Sequence, residues 1–306
     1  MTASPLTPVS LNLYDADFAA FSRGLAASFE RHGFAVVADH ALDEAVVAAA
    51  MADAKVFFAL PEAVKRAYLI AGLAGQRGYT AFGVETAKGA NHHDLKEFWH
   101  VGREGAAGLP ANVWPREIAG FRDHTLALFG ALEALGLRIL RAIAPHLGLE
   151  ADYFEDATRN GNSILRLLHY PPAAFDGPNI RAGAHEDINA ITLLLGAEEA
   201  GLEILDRSGE WLPIHPPVGA VVVNIGDMLA RLTNDVLPST THRVVNPAPE
   251  RRGLARYSTP FFLHFRPDFM IDTLPTCVSA ARPPRYSGPI TAGEFLAERL
   301  REIKLT

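Results

Sequence analysis

Two histidines and an aspartate draw attention through their spacing. In AGAHEDINAITLLLG (182–196), His185, Asp187 and Asn189 fall at every second residue. On a strand, side chains alternate between faces, so these three point one way and Glu186 and Ile188 the other. A neutral imidazole and a carboxylate on one face are a ready pair of metal ligands, and a third must come from elsewhere. His242, in PSTTHRVVNP, begins another apolar run in the same half of the chain and is the best candidate. Two His and one carboxylate on one side of a metal leave its other side open, the arrangement of a mononuclear non-haem Fe(II) centre. A His-x-Asp triplet is common, however, and most such triplets are surface hydrogen-bonding pairs. With 12 histidines in the chain, an accidental third partner is easy to find.

The next motif narrows the reading. In GLARYSTPFFLHF, Arg256 and Ser258 are also two apart and share a strand face with Pro260, Phe262 and His264. An Arg fork beside a hydroxyl suits a carboxylate, although an edge salt bridge is the bland alternative. The order His-x-Asp, His, Arg-x-Ser within one region is hard to obtain by chance. His215, before Pro216, reads as exposed, and His264 as a residue that lines a pocket. Asn224, Gly226 and Asp227, in NIGD, read as a tight turn between strands, structural rather than chemical.

Around these residues the chain has two textures. Residues 15–33 read as a helix, with Phe18, Phe21, Leu25 and Phe29 at three- and four-residue spacing and Gly33 as its stop. Phe34–Val37 reads as a short strand, 42–58 as a second helix, and Pro61 as the opening of a third. From about 115 to 149 the pattern is helical again, broken near Pro145, with Leu128, Leu132, Leu135, Ile139 and Ile143 as its apolar stripe. After about residue 160, short apolar runs alternate with turn residues, as in an all-β barrel or sandwich. A final helix covers about 291–303. The mainly helical first half, with strand pieces, thus precedes a β-rich half.

Composition sets the outer limits. The chain has 306 residues, 28 basic and 35 acidic side chains and a net charge of −7, so a general nucleic-acid binder is not expected. A hydrophobic fraction of 49% supports a sizeable core rather than disorder. One cysteine, Cys277, excludes an internal disulfide and a multi-thiolate zinc site. The start has no basic segment followed by an apolar run, and no charge-free apolar stretch approaches 18 residues, so no signal peptide, no membrane span and a cytoplasmic location are expected.

Taken in order, the motifs resemble the Fe(II)/2-oxoglutarate-dependent oxygenases, specifically the isopenicillin N synthase-like family. HED at 185–187, THRV at 241–244 and RYS at 256–258 carry the resemblance. LHYPP (168–172), GLEIL (201–205), WLPI (211–214), VVNIGDMLARLTND (222–235), HGFAVVADH (32–40), RGYTAFG (77–83) and DLKEFWHVG (94–102) extend it over nearly the whole chain. The resemblance implies a double-stranded β-helix, or jelly roll, with flanking α-helices. It implies an N-terminal region at 1–110 and, at 111–306, long helices plus a catalytic core at about 160–270, forming one integrated unit. It makes His185, Asp187 and His242 the iron ligands, with Arg256, Ser258 and Tyr170 on 2-oxoglutarate. Leu168 departs from the Asn usual in plant members two residues before that Tyr. Arg166, on the same strand face, is either a substitute contact or an internal ion pair.

The implied activity is oxidation of a small organic molecule using Fe(II), O2 and 2-oxoglutarate, which leaves as succinate and CO2. Hydroxylation is the expected outcome, with desaturation or cyclisation open to this family. Two alternatives stand: an isopenicillin N synthase-like Fe(II) oxidase that does not use 2-oxoglutarate, and a non-catalytic jelly-roll binding protein. By family analogy, specificity comes from 77–102 and the strand after Arg256. Arg77, Tyr79, Phe82, His92, His93, Phe98 and Trp99 are offered by the first, and Phe262 and His264 by the second. Phe98 and Trp99 are adjacent, so only one faces the pocket. Aromatic groups with a few cations suggest an apolar substrate body with a carboxylate, met by Arg77 or Arg166.

Overall fold

In the computed structural model, which describes residues 5–73, 75–85, 93–105, 108–172, 180–195 and 201–302, a jelly roll of two sheets is backed by helices. The larger sheet has nine strands. Its order runs Val9–Ser10, Phe34–Ala38, Val221–Ile225, Ile191–Leu195, Pro260–Leu263, Ile164–Tyr170, Glu97–Gly102, Gly78–Thr80, with Arg256–Ser258 also paired to Ile164–Tyr170. The smaller sheet has four strands, in the order Ala182–His185, His242–Val244, Leu202–Leu205, Trp211–Pro213. Strands from residues before 110 thus hydrogen-bond directly to strands after 160: Phe34–Ala38 pairs with Val221–Ile225, and Glu97–Gly102 with Ile164–Tyr170.

The helices follow the expected periodicity with shifted ends. The first splits into Leu13–Ala16 and Phe18–His32 at Asp17, whose carboxylate caps the second by accepting from Ala20 N. Gly33 ends it in the left-handed region at φ 66°. A Cβ there would lie 2.3 Å from Thr240 Oγ1 and 2.5 Å from Pro238 O, so only glycine lets this corner meet the segment that leads to His242. Asp43 caps Glu44–Phe58. The long helix, Phe121–Ile143, buries the whole stripe Leu128, Leu132, Leu135, Ile139 and Ile143 against the larger sheet and its neighbours, and a 3-10 turn at Pro145–Leu147 follows. No helix among the described residues is long and apolar enough to cross a membrane. Cys277 is buried and free.

Two local expectations change. The segment 182–196 is not one strand: Ala182–His185 and Ile191–Leu195 belong to different sheets, and the chain crosses between them at Glu186–Ala190. NIGD is a turn from strand to helix rather than between strands, because Asp227–Leu232 is helical. That helix start clamps the crossing. Asp227 N donates to Asp187 O at 2.7 Å, and Met228 N to Asn189 O at 3.1 Å. The new helix supplies unpaired N–H groups and the crossing supplies unpaired carbonyls, so each satisfies the other.

The strand Glu97–Gly102 carries different chemistry on its two faces. Lys96, Phe98 and His100 face the inside of the roll. Glu97 faces the helices, where Lys65 Nζ (2.7 Å), His169 Nδ1 (2.7 Å) and the Tyr79 hydroxyl all bond its carboxylate. Burial opposes ionisation of Glu97, but the bonds from His169, Lys65 and Tyr79 outweigh it and hold the carboxyl below its ordinary value. Glu97→Leu should therefore cost about 3–5 kcal/mol, because it leaves the Lys65 charge buried without its main partner. The urea midpoint should fall accordingly at pH 7. The folded-state pKa is depressed, so the carboxylate's stabilisation is present above its unfolded value of 4.5 and is lost as pH falls below it; the gap between the two proteins should narrow on acidification.

Candidate active site

His185 is the last residue of one strand and His242 the first of its antiparallel neighbour, and the two are directly paired in register. Their ring centroids are 4.4 Å apart. Asp187 arrives from the clamped crossing, with Oδ1 3.9 Å from each Nε2. The three ligand atoms all lie within 4.8 Å of one another. His185 Nδ1 is 2.7 Å from Gly183 O, and His242 Nδ1 is 3.1 Å from Thr240 O. Those carbonyls place each ring proton on Nδ1 and turn the Nε2 lone pairs inward. Asp187 Oδ2 is bonded by Thr192 Oγ1 at 2.5 Å and Asn224 Nδ2 at 2.8 Å, which leaves Oδ1 for the centre.

The protonation states suit a cation. Burial, and then the neighbouring His242, lower the pKa of His185 to about 4, so its ring is neutral at pH 7. Burial opposes ionisation of Asp187, but His242, His185, Asn224 and Thr192 outweigh it and hold the carboxyl below its ordinary value. Two imidazoles that turn Nε2 inward and one carboxylate, each oriented by an outer bond, fit a divalent iron with one side left open.

Next to this trio lies a cavity of about 60 Å³ bounded by Arg256, Ser258, Tyr170 and Leu168. Arg256 stands opposite Tyr170 in the sheet, and Ser258 opposite Leu168. Arg256 is 2% exposed, donates from Nη1 to Ser258 Oγ at 3.2 Å, and has its guanidinium carbon 5.0 Å from the centre of the Tyr170 ring. The strand face expected to hold Arg166, Leu168 and Tyr170 is the one that lines this cavity.

A larger cavity of about 420 Å³ opens from His185 and Asp187. Lys96, His100 and Arg166 form one wall, Phe262 and His264 another, and Leu296, Arg299 and Leu300 of the last helix (Ala292–Glu302) cover part of its mouth. Lys96 Nζ is 2.6 Å from Glu85 Oε2 and 2.8 Å from Asp94 Oδ2. Arg166 pairs with Glu85 at 3.3 Å, lies 4.1 Å from the centre of the Phe98 ring, and donates from Nε to His100 Nε2 at 2.6 Å. His100 Nδ1 is 2.6 Å from Gly75 O, so the ring is neutral, with its proton on Nδ1. Burial, followed by Arg166, keeps its pKa well below the ordinary value. His264 is lowered to about 4, chiefly by burial.

Several substrate candidates fall elsewhere. Tyr79 is buried in the main core with its hydroxyl on Glu97, because it lies on the helix-facing side of its strand. Trp99 is likewise core. Arg77 is fully buried behind the cavity wall, neither solvated nor lining it. Phe98 packs with Leu168 and Tyr170 beneath Arg166. Phe82 is 37% exposed, His93 and His215 are exposed, and His92 lies outside the described residues. Lys96 and His100 were missed, although DLKEFWHVG held the signal: strand alternation puts them on the same face as Phe98. Asn224, read as structural, bonds Asp187 directly, and Thr192 carried no signal at all.

Comparison with known proteins places this geometry. Residues 161–265 match the profile of the 2OG-Fe(II) oxygenase superfamily, and residues 6–117 that of the non-haem dioxygenase in morphine synthesis N-terminal. The chain is 34% identical over 286 residues to a 2-oxoglutarate-Fe(II) type oxidoreductase of Emericella nidulans, covering 88% of this chain and 80% of that protein. A crystal structure of a 2OG-Fe(II) oxygenase family protein from Caulobacter crescentus is similar with a TM-score of 0.91 and 58% identity, over 98% of this chain and 100% of that one. A full-length Neurospora crassa protein in complex with alpha-KG and thymine is similar with a TM-score of 0.87 and 29% identity, over 97% and 96% of the two chains.

The bonds to Asp187 Oδ2 make a prediction about metal. Asp187→Ala should abolish tight Co(II) binding in calorimetric titration. Asn224→Leu, which leaves all three donors in place, should weaken it by roughly ten- to a hundredfold. Full affinity in the Asn224 variant would mean that Asp187 is not held for a metal through Oδ1.

Proposed function

We propose, from the fact that this chain belongs to the 2OG-Fe(II) oxygenase superfamily, that His185, Asp187 and His242 hold its iron and that Arg256, Ser258 and Tyr170 seat its 2-oxoglutarate. The enzyme is an Fe(II)/2-oxoglutarate-dependent dioxygenase acting on small molecules. One observation carries the residue assignment: two Nε2 atoms and one carboxylate oxygen converge beside the smaller cavity, with His185 and Asp187 also lining the larger one. When bound, Fe(II) with 2-oxoglutarate and O2 supplies an oxidant able to attack an unactivated C–H bond, while 2-oxoglutarate leaves as succinate and CO2.

The chain's own residues bind, orient and exclude water. Arg256 offers a planar fork and Ser258 a hydroxyl to the distal carboxylate of 2-oxoglutarate, with Tyr170 across the strand pair. Leu168 makes that cavity's wall apolar, in keeping with its departure from the Asn usual in plant members at this position. Phe262 lies at the junction of the two cavities, where it holds substrate over the metal side. Hydroxylation is the outcome we assign, since a proline hydroxylase of Petromyces alliaceus is 33% identical over 92% of each chain.

The substrate we assign is small and uncharged. Among the described residues, every Lys or Arg lining the larger cavity already has a carboxylate: Lys96 has Glu85 and Asp94, Arg166 has Glu85, and Arg299 has Glu298 and Glu302. A carboxylate-bearing substrate would enter without an unmatched cation to meet it. Thymine, found with the Neurospora protein, is an uncharged ring of suitable size.

Two measurements test this. Arg256→Ala should raise the KM for 2-oxoglutarate by roughly tenfold or more, with Arg256→Lys only a partial substitute, as loss of a charged hydrogen bond predicts. An unchanged KM would place the cosubstrate elsewhere. In a panel of small acids and their methyl esters or amides, the uncharged forms should stimulate succinate release more than the acids. Consistent stimulation by the free acids alone would overturn the uncharged-substrate assignment.

A further inference from the structure

Arg77 is an unusual buried cation. It is fully enclosed, its pKa is lowered to about 10 by burial, and no carboxylate pairs with it among the described residues. Its guanidinium lies flat on Gly102, where a Cβ would sit 2.0 Å from the Arg77 guanidinium carbon, so the absence of a side chain at Gly102 creates its slot. Its three bonds go to Pro110 O (3.1 Å), Gln76 O (2.7 Å) and Asn162 Oδ1 (3.2 Å).

The last bond sets off a chain of forced orientations. A guanidinium only donates, so Asn162 must turn its oxygen toward Arg77 and its amide nitrogen away. That nitrogen donates to Gln76 Oε1 at 3.2 Å. Gln76 must then present Nε2 elsewhere, and Gln76 and Asn162 both line the larger cavity. Nε2 has no hydrogen-bond partner among the described residues. The usual ambiguity of amide orientation is removed by the buried cation behind the pair.

Resting on the functional reading above, we propose that Gln76 and Asn162, locked by Arg77, form a subsite that binds a carbonyl oxygen of the substrate. Arg77 is a positioning residue here. It never touches the substrate, but its charge polarises the two amides so that Gln76 offers an N–H donor toward the cavity. A ketone, lactam, amide or imide oxygen is the matching acceptor.

The test uses the enzyme loaded with 2-oxoglutarate and Mn(II), with binding read by calorimetry and thermal shift. The probes are N-methyl-2-piperidone (acceptor only), pyrrole (an N–H donor whose nitrogen has no lone pair free to accept) and cyclohexanecarboxylate (an anion). The lactam should bind roughly tenfold more tightly than either of the others, the difference expected for one well-made hydrogen bond. Gln76→Leu, at a half-buried position, should erase that preference. Asn162→Asp should reverse it toward pyrrole, because an acceptor-only side chain beside Arg77 forces Gln76 to turn its Nε2 inward and its oxygen to the cavity. A merely structural role for Asn162 predicts no such reversal. Melting without probe reports whether each variant folds, and if Asn162→Asp does not, Gln76→Leu decides. Absence of lactam preference in the unmodified enzyme, or its survival in the folded variants, overturns the proposal. Succinate formation from 2-oxoglutarate with Fe(II) alone is measured in parallel. If it is absent, the functional reading fails; if it is present without carbonyl preference, only the subsite fails.

Discussion

The pairing of His185 with His242 across two antiparallel strands is the constraint around which the molecule is arranged. Residues directly opposite one another in such a ladder have their side chains held a few ångströms apart by backbone hydrogen bonds alone. Two of the three donors are therefore placed before any side chain chooses a rotamer. The third cannot come from the same ladder without lying too far along it. The chain instead leaves the small sheet after His185, delivers Asp187 from a crossing, and joins the large sheet at Ile191. The helix start at Asp227 and the side chains of Thr192 and Asn224 then hold that crossing, which is neither strand nor helix, in one position.

Charge is managed by layering. The strand Glu97–Gly102 has a buried ion cluster on each side: Lys65 with Glu97 toward the helices, and Lys96, Glu85, Asp94 and Arg166 toward the cavity. Each cluster is closed on itself, so the strand brings ionised groups inside without leaving a bare charge there. Arg77 is the exception. Its compensation comes from carbonyl dipoles, which accept its hydrogen bonds but do not cancel its field. The cavity's cations are thereby matched, and acidic side chains are in excess around it, six against three among the described residues.

How much of this was legible depended on whether a feature was periodic. His185, Arg256 and Ser258 stood out because residue type and two-residue spacing coincided, His242 because it opens another apolar run in the same half of the chain, and the long apolar stripe from Leu128 to Ile143 appeared just as plainly. Asp187 was singled out for an incomplete reason: alternation on one strand suggested it, but a break between sheets positions it. Tyr79 was misplaced because a lone aromatic on a strand does not reveal which side is core. Lys96 and His100 were hidden behind the louder Phe98 and Trp99 beside them. Glu85, Gln76 and Asn162 gave no local signal, since their roles exist only through partners distant in sequence.

The larger sheet joins Phe34–Ala38 to Val221–Ile225, residues separated by most of the chain. Such a topology has high contact order, so the entropy of closing a long loop must be met before that pairing returns any stabilisation. During synthesis the early strand and its helix wait, one edge unsatisfied, until the second half has been made. Only then does the Gly33 corner press against the segment before His242. Closure of that long loop is thereby felt at His242, since the segment that leads to it is seated against the corner made by the early strand.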